Sequence, residues 1–288
     1  MQPYLLSLNS YAQPIHQAGL LRSPLYQTLA FTMSYAEITF RDKNPIKRWL
    51  QQQRLVSAIK LCSRSLRPPE AICDYGAGNG ELCKLLAEHY QNAKLVCYEP
   101  TPSLLSEARQ NLSAVVDVEF CQDIRSVALG TLDVVFCLEV FEHLPPEETA
   151  NALQTISDLL KPEGVIIIGV PVEVGVPALY KGIFRMSRRY GAFDANMKNV
   201  AMSFLYQPPK DRPASEIAPG FRFHHEHMGF DFRRFKVNLS SYFKLHKVSA
   251  SPFAALGSWL MPEVYFVAEK ANPALKREAP TARPLAPR

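Results

Sequence analysis

The chain has 288 residues, 47% of them hydrophobic, and a formal net charge of +5. That length can bury one large core, or a core with a smaller cap. No run approaches the roughly 18–20 apolar residues of a membrane span. The cysteines at 62, 73, 83, 97, 121 and 137 are scattered, several of them in apolar runs, without the spacing of a disulfide frame or zinc site.

In chain order, residues 1–32 read as a loosely organised arm with Pro3, Pro14, Gly19 and Pro24. No basic region precedes its apolar patch Tyr4-Leu5-Leu6, so a secretory signal is not expected. Residues 33–69 read as an N-terminal helical extension. Asn44-Pro45 has the form of a helix entry, and the helix is predicted to run to Leu66, with Leu55, Ile59 and Cys62 inward and Lys47, Arg54 and Arg64 mostly outward. Pro68-Pro69 ends it.

Strands and helices then alternate. Strands are predicted at 71–74, 94–99, 115–120, 132–138 and 165–170, with helices over 79–90, 102–112 and 146–160. Lys161-Pro162-Glu163-Gly164 reads as a tight turn into the fifth strand. This rhythm predicts an α/β fold, a Rossmann-like, doubly wound, mostly parallel sheet with helices on both faces. Residues 173–235, rich in proline and aromatics, break the alternation and read as a lid insertion. Strands at 243–249 and 264–270 would add an antiparallel pair at the sheet edge, so the main domain spans 70–270. The Ala-, Pro- and Arg-rich tail, 271–288, reads as disordered.

Charge is distributed unevenly. Residues 41–67 carry eight Lys/Arg against one acid, 68–173 carry five against seventeen, and 181–247 carry thirteen against five. An acidic middle between basic flanks is not the footprint of a nucleic-acid binder; it suits a site whose substrate side attracts anions.

The chemistry centres on Asp74-Tyr75-Gly76-Ala77-Gly78-Asn79-Gly80. An apolar strand ending in an acid and feeding a glycine turn brings bare backbone close to a ligand. A dinucleotide fingerprint would need glycine at 81, where Glu81 stands. The carboxylate there would also repel a pyrophosphate. Glu99, about 20 residues past the turn and at the end of the second strand, is placed to accept from both hydroxyls of a ribose.

With Asp123 after strand three, the stretch from Asp133 through Glu139, Glu142 and His143 to Leu144, and the turn before strand five, this pattern resembles the class I S-adenosylmethionine-dependent methyltransferases of small-molecule type. The resemblance covers 70–172 well and 240–270 weakly. It implies S-adenosyl-L-methionine as cofactor, with Gly76, Gly78 and Gly80 under its methionine moiety and Asp74 near its amino group. Glu99 would hold the ribose, Asp123 and Ile124 would meet the adenine, and Glu139 would close the methionine side. Methyl transfer is mainly a matter of positioning, with a base useful for a hydroxyl acceptor; His227 and His143 are the candidates. Glu226 and the histidines 224, 225 and 227, consecutive in one loop, cannot all face one ion, so no metal is expected.

Read as a helix, the segment around 180–190 puts Lys181, Arg185 and Arg188 beside Tyr180 on one face. Cations among aromatics suit a small or lipid-like, anionic acceptor, or peripheral contact with a membrane surface, while the acidic middle of the chain argues against a nucleic acid. The expected location is the cytoplasm. An NAD(P)-dependent oxidoreductase and a non-catalytic adenosylmethionine-binding interaction protein are the alternative readings.

Overall fold

The computed structural model describes residues 45–63, 67–218 and 221–271. The expected arm over 1–32, the entry at Asn44, the end of the first helix at Leu66 and the tail beyond 271 lie outside those residues.

The first described helix, α1, runs Pro45–Ser63. Then come β1 (Ala71–Tyr75), α2 (Glu81–His89), β2 (Lys94–Tyr98), α3 (Pro102–Asn111), β3 (Val118–Cys121), β4 (Leu132–Leu138), α4 (Pro146–Leu159) and β5 (Leu160–Pro171). The segment after β5 holds α5 (Val176–Arg189), α6 (Met197–Phe204) and a small hairpin, β6 (Ser215–Ala218) with β7 (Phe221–Phe223). The described chain closes with α7 (Phe232–Leu239), β8 (Phe243–Ser251), the short α8 (Gly257–Leu260) and β9 (Glu263–Lys270).

Seven strands form one sheet in the order β3-β2-β1-β4-β5-β9-β8. The five N-terminal strands are parallel, while β9 pairs antiparallel with both β5 and β8. Side chains alternate across a strand, so neighbours feed different cores. Ile72 joins Leu55, Ile59, Leu82 and Leu86 beneath α1 and α2, whereas Cys73 joins Leu153, Ile156, Phe235 and Leu239 beneath α4 and α7. Burial on both faces explains the unbroken apolar run of β5, Val165–Val170. Each of its fully buried Ile or Val side chains contributes roughly 1.5–3 kcal/mol of transfer free energy.

Two boundaries differ from the sequence reading by more than two residues. Strand three begins at Val118, not 115, because Asp117 adopts φ +61° and interrupts the extended backbone. The residues 161–164 are not a separate turn. They lie within β5 as an irregularity, with Leu132 opposite Leu160 and Val134 opposite Val165. Among the described residues no helix is long and apolar enough to cross a membrane.

The strand order reverses between β1 and β4, the two central strands, so their carboxyl ends diverge and leave a crevice. Every group of the candidate site is attached at or near that opening.

Candidate active site

At the crevice, a cavity of about 120 Å³ is lined by Asp74, Gly76, Gly78 and Asn79 from the glycine turn, Leu138 and Glu139 from the end of β4, and Arg54 from α1. The turn holds its shape by backbone bonds: Gly76 and Ala77 N–H both donate to the Tyr98 carbonyl at 2.9 Å. Gly76 and Gly80 are needed for packing as well as backbone. Their φ values are +82° and +81°, and a Cβ would lie 2.5 Å from Val140 Cγ2 or 2.9 Å from Leu112 Cδ1. Gly78 differs, because a Cβ there would meet nothing within 4 Å. Its φ of +56° leaves bare backbone facing open space, the surface on which a ligand can rest.

Glu99 is buried, and its two oxygens split between the two sides of the turn. Oε2 accepts from Gly78 N–H at 2.9 Å and Oε1 from Thr101 N–H at 2.8 Å. The carboxylate that was expected to meet a ribose therefore also pins the glycine turn.

Arg54 is the residue that the sequence reading put on the wrong side of its helix. It points into the cavity, with Nη1 3.3 Å from Glu139 Oε2 and Nε donating to Glu263 Oε1 at 2.5 Å. Helical periodicity did place it opposite Leu55 and Ile59, but that face covers the crevice, not water. Although burial alone would lower its pKa, Glu139 and Glu263 hold the guanidinium firmly charged. Burial pushes the Asp74 carboxyl up to about 7, and Glu139 likewise to about 7 despite Arg54. Among the described residues two polar atoms of this cavity's lining are buried without partners: Asn79 Nδ2, a donor, and Glu139 Oε1, an acceptor. Positive and negative groups thus line one small, largely desolvated space. Such a set suits a zwitterion, an ammonium for the acids and a carboxylate for the free Asn79 amide.

Asp123 stands at the end of β3, where its carboxylate is engaged by Arg125 through Nε at 2.9 Å and Nη2 at 2.7 Å and by the Arg125 N–H at 3.0 Å. These bonds lower its pKa to about 2. Ile124 packs against the core beside it.

A second cluster follows β4. His143 and His227, 84 residues apart by their numbering, are brought edge to face with ring centroids 4.8 Å apart. Between them lies Glu142, fully buried, a residue the sequence reading did not assign a role. His143 is fixed by its Nδ1, 2.6 Å from the His224 carbonyl, and by stacking on Phe223 at 4.6 Å. Burial lowers its pKa to about 4 and drives that of His227 well down, so both imidazoles are neutral with a lone pair available. Arg212 ties the backbones together: Nη2 donates to the carbonyls of Glu142 and Glu226, each at 2.6 Å, and Nε to that of Met228 at 3.1 Å.

The cationic face of α5 is a correction. Lys181 spends its three donors on Glu173 and on the Val172 and Pro262 carbonyls, at 3.0–3.1 Å. Arg185 forks onto the same Glu173 at 2.8 and 2.9 Å. Burial would raise the Glu173 pKa, but these two cations hold it well below the usual carboxylate range. Lys181 and Arg185 are therefore committed to a buried acid rather than offered to an anion. Arg188 stays on the surface over the Phe184 ring at 5.5 Å, and Tyr180 donates to the Leu260 carbonyl at 3.3 Å.

A parallel sheet with a ligand crevice at its switch point and an acid after the second strand defines a Rossmann-like binder of an adenosyl group. The methyltransferase-domain family matches residues 47–229, so the chain belongs to that family. S-adenosyl-L-methionine is accordingly its cofactor, and the zwitterion-lined cavity fits the amino-acid end of that molecule. Among curated proteins, a malonyl-[acyl-carrier protein] O-methyltransferase of Anoxybacillus flavithermus is 30% identical over 105 residues, 36% of this chain and 39% of the relative. A trans-aconitate 2-methyltransferase of Escherichia coli is 29% identical over 122 residues, 41% of this chain and 46% of the relative. A ubiquinone biosynthesis O-methyltransferase of Xanthomonas campestris is 26% identical over 113 residues, 38% of this chain and 46% of the relative. The chain thus spans less than half the length of these relatives. Among solved structures, the N-methyltransferase NodS from Bradyrhizobium japonicum is similar with a TM-score of 0.53 and 13% identity, covering 87% of this chain and all of that one, a likeness of fold.

Proposed function

We propose that this chain transfers the methyl group of S-adenosyl-L-methionine to an oxygen atom of a small-molecule or lipid-like acceptor. The observation that carries the reading is the desolvated cavity in which Arg54, Asn79, Asp74 and Glu139 oppose one another beside a glycine turn pinned by Glu99. In this reading Gly76, Gly78 and Gly80 shape the bed of the methionine moiety, and Asp74 and Glu139 take its ammonium. Glu99 takes the ribose, and Asp123 with Ile124 borders the adenine. Once bound, the cofactor supplies a sulfonium methyl whose C–S bond breaks as an acceptor lone pair forms the new bond, leaving a neutral thioether. The chain's own task is to orient the two molecules, exclude water and deal with the acceptor's proton. His143 and His227 are the acceptor-side groups, kept neutral so that their lone pairs are free for a proton or another electrophile.

Two observations support the acceptor class. Two of the three curated relatives above bear names of O-methyltransferases. On α5 and just beyond it, Ile183, Phe184, Tyr190 and Met197 expose between 55% and 72% of their surface, which suits an amphiphile or a membrane surface near the lid. Arg188, among those side chains, is the cation that remains to meet an anionic group. The six cysteines are all free and buried, in keeping with a reducing compartment such as the cytoplasm.

Titration calorimetry with S-adenosylhomocysteine and with NADH tests the cofactor reading. S-adenosylhomocysteine is expected to bind and NADH not to; the reverse would make the chain an oxidoreductase. Formation of S-adenosylhomocysteine with a panel of hydroxy and carboxylic acids then tests catalysis, and silence across the panel would favour a binding protein.

The acids give this affinity a pH dependence. Asp74 and Glu139, raised to about 7, are largely protonated below neutrality and then have no charge to offer an ammonium. Affinity for S-adenosylhomocysteine should fall about tenfold between pH 8 and 6. An affinity flat across that range would remove both acids from the ammonium's contacts.

A further inference from the structure

Glu142 is the least explained group in the fold. It is fully buried at the end of β4, and among the described residues neither of its carboxylate oxygens has a hydrogen-bond partner. An unpaired buried carboxylate costs several kcal/mol unless it takes up a proton or gains a cationic partner. Nε2 of His143 and Nε2 of His227 each lie 3.9 Å from Glu142 Oε1. That is too far for a hydrogen bond. One ligand atom from each of the three residues can be chosen so that all lie within 4.8 Å of one another.

The tautomer of His143 sharpens the point. Its Nδ1–H donates to the His224 carbonyl, so Nε2 carries the lone pair and faces the carboxylate. The ring cannot turn away, since it is stacked on Phe223 and the His224 N–H donates back to the His143 carbonyl at 2.9 Å. An imidazole whose far nitrogen is held by a backbone carbonyl is the usual arrangement of a metal-binding histidine. Arg212 feels the charge of Glu142 but makes no hydrogen bond to its carboxylate. Two of its nitrogens are spent on the carbonyls of Glu142, Glu226 and Met228, which locks together the two loops that carry the trio.

We infer that Glu142, His143 and His227 form a binding site for one divalent first-row transition-metal ion, with zinc as the probe. Two imidazoles and one carboxylate are a catalytic zinc set, three protein ligands with a position left open. Ligands about 2.1 Å from a tetrahedral ion lie about 3.4 Å from each other, so binding needs the 3.9 Å carboxylate–imidazole separations to close slightly and the widest, within 4.8 Å, to close further. These ligands are not the consecutive residues 224–227 of one loop. The structure draws two of them from the end of β4 and one from the loop before α7. Side-chain exposures of 17% and 28% at His143 and His227 give the ion a way in. An acceptor oxygen bound at the open position would have its pKa lowered there. This catalytic consequence rests on the methyl-transfer reading, while ion binding does not.

The test is zinc uptake by the full chain after chelator treatment, read by metal analysis and by calorimetry against a competing indicator. One zinc per chain is expected, with affinity at least a hundredfold weaker in Glu142→Gln and in His227→Ala. S-adenosylhomocysteine binding, followed in the same samples, should change less than about threefold. Equal zinc binding by wild type and both variants, or no stoichiometric uptake by wild type, overturns the site. If a variant fails to fold, cobalt substitution of the wild-type chain decides. A spectrum of nitrogen and oxygen ligands upholds the site, and a thiolate charge-transfer band assigns the metal to the cysteines and overturns it. Absence of S-adenosylhomocysteine binding by wild type, with zinc bound, would instead overturn the proposed function and leave the metal site standing.

Discussion

Arg54→Ala is expected to lower the unfolding free energy by about 3 kcal/mol and to weaken S-adenosylhomocysteine binding together with it. Arg54 is the cation between Glu139 and Glu263, and its own backbone carbonyl accepts from the Tyr265 hydroxyl at 2.9 Å. Removing it strands two acids in a desolvated corner, a change that costs about 3–5 kcal/mol when a buried pair is broken from one side. For a chain of this size the melting temperature should drop by roughly 6–12 °C, given about 2–4 °C per kcal/mol. A double-mutant cycle with Glu263→Gln separates the pair from general packing: the double variant should recover at least 1 kcal/mol relative to the sum of the single changes. A coupling near zero would show that the ion pair contributes nothing measurable. Because α1 contributes only this side chain's charge to the cavity, Arg54→Lys should recover part of both losses. It keeps the charge but not the fork.

Glu99→Ala should reduce S-adenosylhomocysteine affinity by about a hundredfold or more, equivalent to about 2.7 kcal/mol. Bonds from ribose hydroxyls to a charged acceptor are worth roughly 1.5–3 kcal/mol each. The structure adds a second loss, because the same carboxylate accepts from the Gly78 and Thr101 N–H groups and so holds the turn under the ligand. Glu99→Gln separates the two effects. The amide oxygen can keep one backbone bond, so the turn should survive better than the affinity. Calorimetry gives the affinity, and hydrogen exchange at Gly78 reports the turn. Near-normal binding by the alanine variant would show that Glu99 does not face the ribose.

Groups that act through the local chain were readable in advance. Asp74, Gly76, Gly78 and Glu139 line the crevice because each sits within three residues of a strand's carboxyl end, and in a parallel sheet those ends share one opening. Strand four was predicted with the bounds it has, Leu132–Leu138, since its apolar run is bracketed by polar turns. The lid was harder. The charges of α5 follow a helical face, but periodicity does not say whether that face meets water or a buried acid. Glu173, which claims Lys181 and Arg185, precedes the helix and bears no pattern of its own.

The alternating fold, the glycine turn and the acid after strand two are written in the sequence, because short-range periodicity and spacing encode them, and the family resemblance of those motifs added the cofactor. Tertiary structure alone decided that Arg54 reaches a partner 209 residues away, that Glu142 lies unpaired between His143 and His227, and that the lid's cations turn inward. The physical reason is the same in each case. Buried charge is compensated by whatever the packing brings within a few ångströms, and that choice is made by the fold, not by neighbours along the chain.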